Sequence, residues 1–418
     1  MAIAVARYLQ DGRLDSTFGV GGIVRTNFPG RVEKVVEVSV GPQDRIVVIA
    51  SDGDNLLIAS YLADGRLNNE FSQDGKVRLP FPFRLQDATV DSFDQVIAGM
   101  VTAVPDGAIG SPPVQGARIV GVGETFPPAD RFTLARYHPF DRLDQTFGSG
   151  GFVITDFLQE GNARALSVHV DRQHRIAAAG SVRSFDDNQT HFAVARYLPN
   201  GLLDSSFGGD GRVVTRFQEG SSEAVAVAGI GGQGRIVLAG HVLARHINSA
   251  IRSFALARYL ENGTLDTGFG GDGRVVTSFQ EGNSLAAAVT ADGRGRIVAA
   301  GFAGSRFALA RYLTNGNLDT SFSSDGRATT DIPGSSNSSI NALFVSASDE
   351  TITAVGVASG EFAVARFRDD GRLDPAFSFD GRVRTVIGSG NEGSAAQAVA
   401  ADSQRRLIVA GVVEAAVE

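Results

Sequence analysis

The chain repeats itself. The segment ARYLENGTLDTGFGGDGRVVTSFQEG at 257–282 has a near copy, ARYLPNGLLDSSFGGDGRVVTRFQEG, at 195–220. Alignment on the leading tripeptide recovers seven copies, beginning at Ala6, Ala59, Ala135, Ala195, Ala257, Ala310 and Ala365, at intervals of about 53, 76, 60, 62, 53 and 55 residues. That period is the size of a propeller blade and about twice that of a leucine-rich repeat. One period, SLAAAVTADGRGRIVAAGFAGSRFALARYLTNGNLDTSFSSDGRATTDI, holds four short apolar or alternating stretches separated by Gly, Asp and Asn turns, which reads as four strands and no helix. Four-stranded sheets packed radially hide most of their edges.

The expected fold class is therefore all-β: a seven-bladed β-propeller of four-stranded antiparallel blades, each running from an inner strand A to an outer strand D. The ends support closure. The chain finishes on an A and a B stretch (AAQAVAAD, RLIVAGVV) and starts on a C and a D stretch (AIAVARYL, GGIVRTNF), so the last blade takes two strands from each terminus. The blades are placed at about 30–83, 84–158, 160–218, 220–280, 282–333, 336–388, and 393–418 with 1–28, numbered one to seven. A single domain spans 1–418, with a long inserted loop at 102–130 joining strands B and C of blade two.

The repeated segments D-G-x-L-D-x-x-F-G-x-D-G and G-R-I-V-x-A-G resemble the delta-60 repeats, a propeller repeat family of unknown function found mostly in exported bacterial proteins. The resemblance covers essentially the whole chain and implies a β-propeller and export, to the periplasm, cell surface or medium. It implies no reaction. A cytoplasmic location stays open, and the N-terminus MAIAVARYLQDG has neither the basic nor the apolar region of a signal, so an exported form would have lost it.

The repeated charges fall into two sets. In six copies an Arg of strand C is followed eight residues later by Asp: Arg7 and Asp15, Arg136 and Asp144, Arg196 and Asp204, Arg258 and Asp266, Arg311 and Asp319, Arg366 and Asp374. The seventh copy has Ser60 and Asn68, so both charges vanish together. At the start of strand D, five copies carry an Asp two residues before a base (Asp74 and Lys76, Asp210 and Arg212, Asp272 and Arg274, Asp325 and Arg327, Asp380 and Arg382), and two replace both, with Gly21 and Ile23, and Gly150 and Phe152. Joint loss is the signature of an internal ion pair, because stranding one buried charge costs about 3–5 kcal/mol whereas replacing both can be neutral. Strand alternation places the first Arg between blades, its head at the C–D turn.

Function is then expected where the repeat is broken. The B–C connections of blades two to four are long, at 101–130, 183–190 and 241–253, and would cluster on one face. Four of six His lie there: His138, His191, His241 and His246, with Asp186, Asp187, Arg183 and Arg245. His191, His241, His246, Asp186 and Asp187 are the candidate acid–base groups; Arg183, Arg245 and His138 are ligand-binding candidates. The D–A loops repeat a Glu (Glu160, Glu219, Glu281, Glu392) that could ring the channel mouth and hold a hydrated cation. No other cofactor and no metal site is expected: Cys is absent, and His241 and His246 do not have metal-ligand spacing.

Composition narrows the partners. A net charge of -8 lacks the basic face that nucleic acid requires, and no apolar run approaches the roughly 18 residues of a membrane span. There is no G-x-S-x-G elbow, phosphate-binding loop or EF-hand pattern, and no Trp to stack on sugars. The expected protein is a monomeric, non-catalytic binding or scaffold propeller that recognises a small molecule, glycan or protein through the B–C face of blades two to four. The alternative is a hydrolase or lyase drawing its acid–base groups from the same loops.

Overall fold

The computed structural model describes residues 1–81, 84–90, 119–124, 131–137, 143–157, 161–232, 234–246, 249–388 and 392–414. Among these there are twenty-eight strands and one short 3-10 turn, Pro42–Asp44. The first two strands are β1 (Ala2–Tyr8) and β2 (Ile23–Thr26). Blade one is β3 (Lys34–Val40), β4 (Ile46–Ser51), β5 (Asn55–Tyr61) and β6 (Lys76–Pro80); blade two is β7 (Arg84–Val90), β8 (Ile119–Glu124), β9 (Phe132–Tyr137) and β10 (Phe152–Thr155). Blade three is β11 (Ala163–Val170), β12 (Ile176–Arg183), β13 (Thr190–Tyr197) and β14 (Arg212–Thr215); blade four is β15 (Gly220–Ile230), β16 (Arg235–His246), β17 (Ser249–Tyr259) and β18 (Arg274–Thr277). Blade five is β19 (Ser284–Ala291), β20 (Ile297–Ala303), β21 (Arg306–Tyr312) and β22 (Arg327–Thr330); blade six is β23 (Ser338–Val345), β24 (Ile352–Ala358), β25 (Glu361–Phe367) and β26 (Arg382–Thr385). The chain ends on β27 (Ser394–Ala401) and β28 (Leu407–Val413), which join β1 and β2 in one sheet ordered β27-β28-β1-β2.

All pairings are antiparallel. The inner strands β3, β7, β11, β15, β19, β23 and β27 touch in that order and β27 returns to β3, so the sheets surround a central channel as propeller blades do. The core lies in the seams between sheets. Each B and C strand buries both faces, one in each flanking seam, which is why IVAAGFA and FALARY read as continuous apolar runs instead of alternating ones.

The second repeated motif is a packing device. Every inner strand carries a bulge, for example between Ala165 and Ser167, which turns a carbonyl toward its neighbour. Opposite it stands the Gly of G-R-I-V-x-A-G: a Cβ on Gly180 would lie 1.9 Å from the Arg164 carbonyl oxygen, and one on Gly301 1.9 Å from that of Leu285. Glycine admits that approach without displacing the strand; blade one, which pairs Ala50 with Val35 at this position, is the exception.

One expected boundary is corrected. Residues 119–124, inside the stretch read as a loop at 102–130, form β8, which pairs with both β7 and β9. The extra length of blade two thus enters between strands A and B, in 91–118, which lie outside the described residues, and the B–C connection is only 125–131. Arg118-Ile119-Val120 supplies the same R-I-V signature as the other B strands, so it competes with the equally apolar VIAGM at 96–100.

Candidate functional site

The repeated charges are consumed inside the fold. In all six blades that carry the pair, the Arg of strand C lies 2.7–3.0 Å from its Asp. The same guanidinium stacks 4.5–4.7 Å from the Phe ring of its own turn (Phe18, Phe147, Phe207, Phe269, Phe322, Phe377). Its Nη1 donates to a carbonyl in the C–D turn of the next blade: Arg258 to Thr314 at 2.5 Å, Arg311 to Asp369 at 2.6 Å, and Arg366 to Gln10 at 2.6 Å. Each such Arg is therefore a clip across a seam. Blade one substitutes a small pair, Asn68 Nδ2 donating to Ser60 Oγ at 3.4 Å.

The strand-D pairs tie in the opposite direction. Arg212, Arg274, Arg327 and Arg382 each meet their Asp and donate from Nη1 to a carbonyl of the preceding blade, at 2.6–2.9 Å. Buried Tyr hydroxyls add a third set, as between Tyr197 and Thr155 or Tyr312 and Thr277.

The central channel encloses a cavity of about 550 Å³. At the two bulge positions blades four and five present Val225, Ala226, Ala287 and Ala288, whereas blades one and two present Glu37, Gln86 and Asp87. The polar side chains stitch neighbours together. Asp87 accepts from the Val168 amide of blade three at 3.0 Å, Gln397 accepts from the Val35 amide at 2.8 Å, and Asn341 donates to the Ala396 carbonyl at 2.8 Å. Lys34 donates to the Gln86 carbonyl. Burial pushes the Asp87 carboxyl up to about 6. These channel groups were not among the sequence candidates; the signal for Glu37 and Asp87 is the second bulge position, which blades four to seven fill with Ala226, Ala288, Ala342 and Ala398.

The described loop candidates His191 and His241 are not brought together. His191 Nε2 lies 2.9 Å from Asp187 Oδ2, and the Gln189 amide together with this ring holds the Asp187 carboxyl below its usual range. The His191 side chain is only 2% exposed, with a buried Nδ1 that has no partner. It shares a strand face with Ala193 and Ala195, which pack in the seam between blades two and three. His241, also buried, shares a face with Val237 and Ala239 in the seam between blades four and five. Burial, with Arg252 nearby, lowers its pKa to about 4. Two whole blades separate the rings. Asp186 is exposed, and Arg183 closes its hairpin on Asn188 Oδ1 at 2.8 and 3.0 Å. Arg245 and His246 are on β16 but their side chains, like His138 and Glu160, lie outside the described residues.

The Glu ring is broken up as well. Glu281 accepts from Thr329 Oγ1 at 2.7 Å and Glu392 pairs with Arg25 at 2.8 Å, while Glu219 is exposed. Among the described residues no three His, Asp or Glu stand close enough to hold a metal ion, and no helix is long and apolar enough to cross a membrane, which says nothing of a β-barrel.

Three stretches, 175–207, 234–269 and 295–322, match the family described as "Domain of unknown function (DUF5122) beta-propeller". No curated protein matches the chain. Among solved structures the chain is similar to virginiamycin B lyase from Staphylococcus aureus (9% identity, TM-score 0.47, covering 91% of this chain and 99% of that one). It is also similar to the Cps50 (Swd1) beta-propeller domain of Myceliophteria thermophila (9%, 0.45, 92% and 97%) and to polysaccharide lyase Uly1 (10%, 0.42, 98% and 98%). At 9–10% identity these likenesses assign no chemistry.

Proposed function

We propose that this protein is a seven-bladed, non-catalytic binding propeller, exported and monomeric, that recognises a glycan, small molecule or protein through the B–C face of blades three and four. The observation that carries the reading is the burial of His191 and His241 in two separate seams. General acid–base chemistry needs a titratable group within reach of substrate in a concave site, and neither ring lines a cavity described above. What supports this face as the recognition surface is its departure from the repeat. The β16–β17 hairpin is four or five residues longer per strand than β20–β21 of blade five. Beside it the blade-three turn presents Phe185, 77% exposed.

The test is an esterase, lactonase, glycosidase and lyase screen of the full chain beside two variants, the His191→Ala, His241→Ala, His246→Ala triple and the exposed Asp187→Asn. No turnover above background is expected from any of them. A turnover by the parent protein that Asp187→Asn abolishes without lowering the melting temperature would overturn the non-catalytic reading.

A further inference from the structure

The A–B turns carry their own repeated pair, and blades one and four keep its Arg (Arg45 and Arg235) without its Asp. Blades three, five and seven close this turn with Asp171 and Arg175, Asp292 and Arg296, and Asp402 and Arg406, at 2.7, 2.5 and 2.6 Å. Blade four has Gly-Gly-Gln-Gly-Arg at 231–235: the Arg is kept as Arg235, and opposite it in the strand register stands Ile230, in the place that Asp171 takes opposite Arg175. In the clip and strand-D sets both charges are lost together; here blade one's Arg45 finds Glu70 instead, at 3.4 Å, whereas Arg235 finds no acid among the described residues. Arg235 has no ion pair or hydrogen bond among the described residues.

Arg235 lines a cavity of about 430 Å³ between blades three and four, together with His169, Arg172, Gln173 and Arg175. Glycines 231, 232 and 234 are part of its lining. Arg172, likewise without a partner among the described residues, reaches across from blade three, its Nη1 3.5 Å from where a Cβ on Gly232 would sit. Arg175 spends Nε on Asp171 and Nη1 on Glu261, but its Nη2 is buried against Gly234 with no acceptor. The carboxylates at this cavity are already engaged, Asp171 by Arg175 and Asp292 by Arg296. Two unneutralised guanidinium groups and one unsatisfied buried donor therefore converge on a partly glycine-lined space in a chain whose net charge is -8. His169, held neutral by burial at ordinary pH, adds a ring that can offer one N–H.

We propose that this cavity, on the face opposite the long B–C loops, is a binding site for a small oxyanion, the carboxylate or phosphate group of a soluble ligand, gripped by Arg172 and Arg235. Planar guanidinium forks match both groups. A Cβ at Gly231 meets nothing within 4 Å, so Gly231→Asp adds a carboxylate to the cavity lining with room to spare, in a left-handed conformation (φ +64°) that Asp tolerates.

The test is calorimetric titration of the full chain with inorganic phosphate and, separately, succinate at low ionic strength. Saturable binding of at least one is expected, and which one binds identifies the anion class. Arg235→Gln and Gly231→Asp should each weaken it at least tenfold with the melting temperature unchanged, while Arg13→Gln, an exposed Arg already paired with Asp11, should leave it intact. No saturable binding of either anion, or equal weakening by Arg13→Gln, overturns the proposal.

Discussion

At the scale of single residues, one guanidinium does several jobs at once: Arg258 holds Asp266, covers Phe269 and reaches Thr314 of the next blade. The buried titratable groups leave a measurable mark. His241 has a native pKa of about 4 against the ordinary 6.5, so below pH 6.5 the unfolded chain takes up a proton that the native protein refuses. Its contribution to stability is complete above pH 6.5 and is lost as pH falls toward 4, on the order of 3 kcal/mol in all. Asp87 has the opposite sign: its raised native pKa makes the native state the better proton acceptor between about 4 and 6, so stability falls as pH rises through that window. Urea denaturation at pH 7 and pH 4.5 should therefore show a smaller pH-dependent loss for His241→Leu than for the parent protein; an identical loss would remove His241 as a source.

At the scale of strands and seams, the repeat contains a natural experiment. Blade one lacks the clip, and its Ser60 and Asn68 meet each other instead. Ser60→Arg with Asn68→Asp should install the tie, beside Phe71 already buried at the stacking position, and raise the melting temperature by a few degrees, whereas Ser60→Arg alone should lower it. A double variant no more stable than the single would show that this seam cannot use the pair. The strand scale is also where the sequence was most and least legible. Period, four-strand units, both charge pairs and closure by the termini were readable because each recurs in register. The position of β8 was not, because two apolar stretches of like length compete and only pairing with β7 and β9 decides between them. The separation of His191 from His241 was hidden for a related reason: they fall on consecutive blades, but strand alternation sends their rings into different seams. The Arg235 cavity was readable only in hindsight, as an Arg that keeps its place when its Asp does not.

At the scale of the whole molecule, the ring is held by ties at three radii. Channel amides and carboxylates bridge inner strands, the Arg clips bridge the C–D turns, and the strand-D pairs and Tyr hydroxyls bridge the outer parts of the sheets. Because β1 and β2 complete the sheet begun by β27 and β28, the termini lock the circle. The repeated charges belong to this scaffold, and the proposed recognition surfaces are the places that break the repeat. A thermal-unfolding double-mutant cycle on Arg258→Met and Asp266→Asn tests that division most directly. Each single variant should lose stability, by about 3–5 kcal/mol where a buried charge is stranded, and the double variant should lose less than their sum. Strictly additive losses would contradict the account, because Arg258 and Asp266 would then not be partners in the fold.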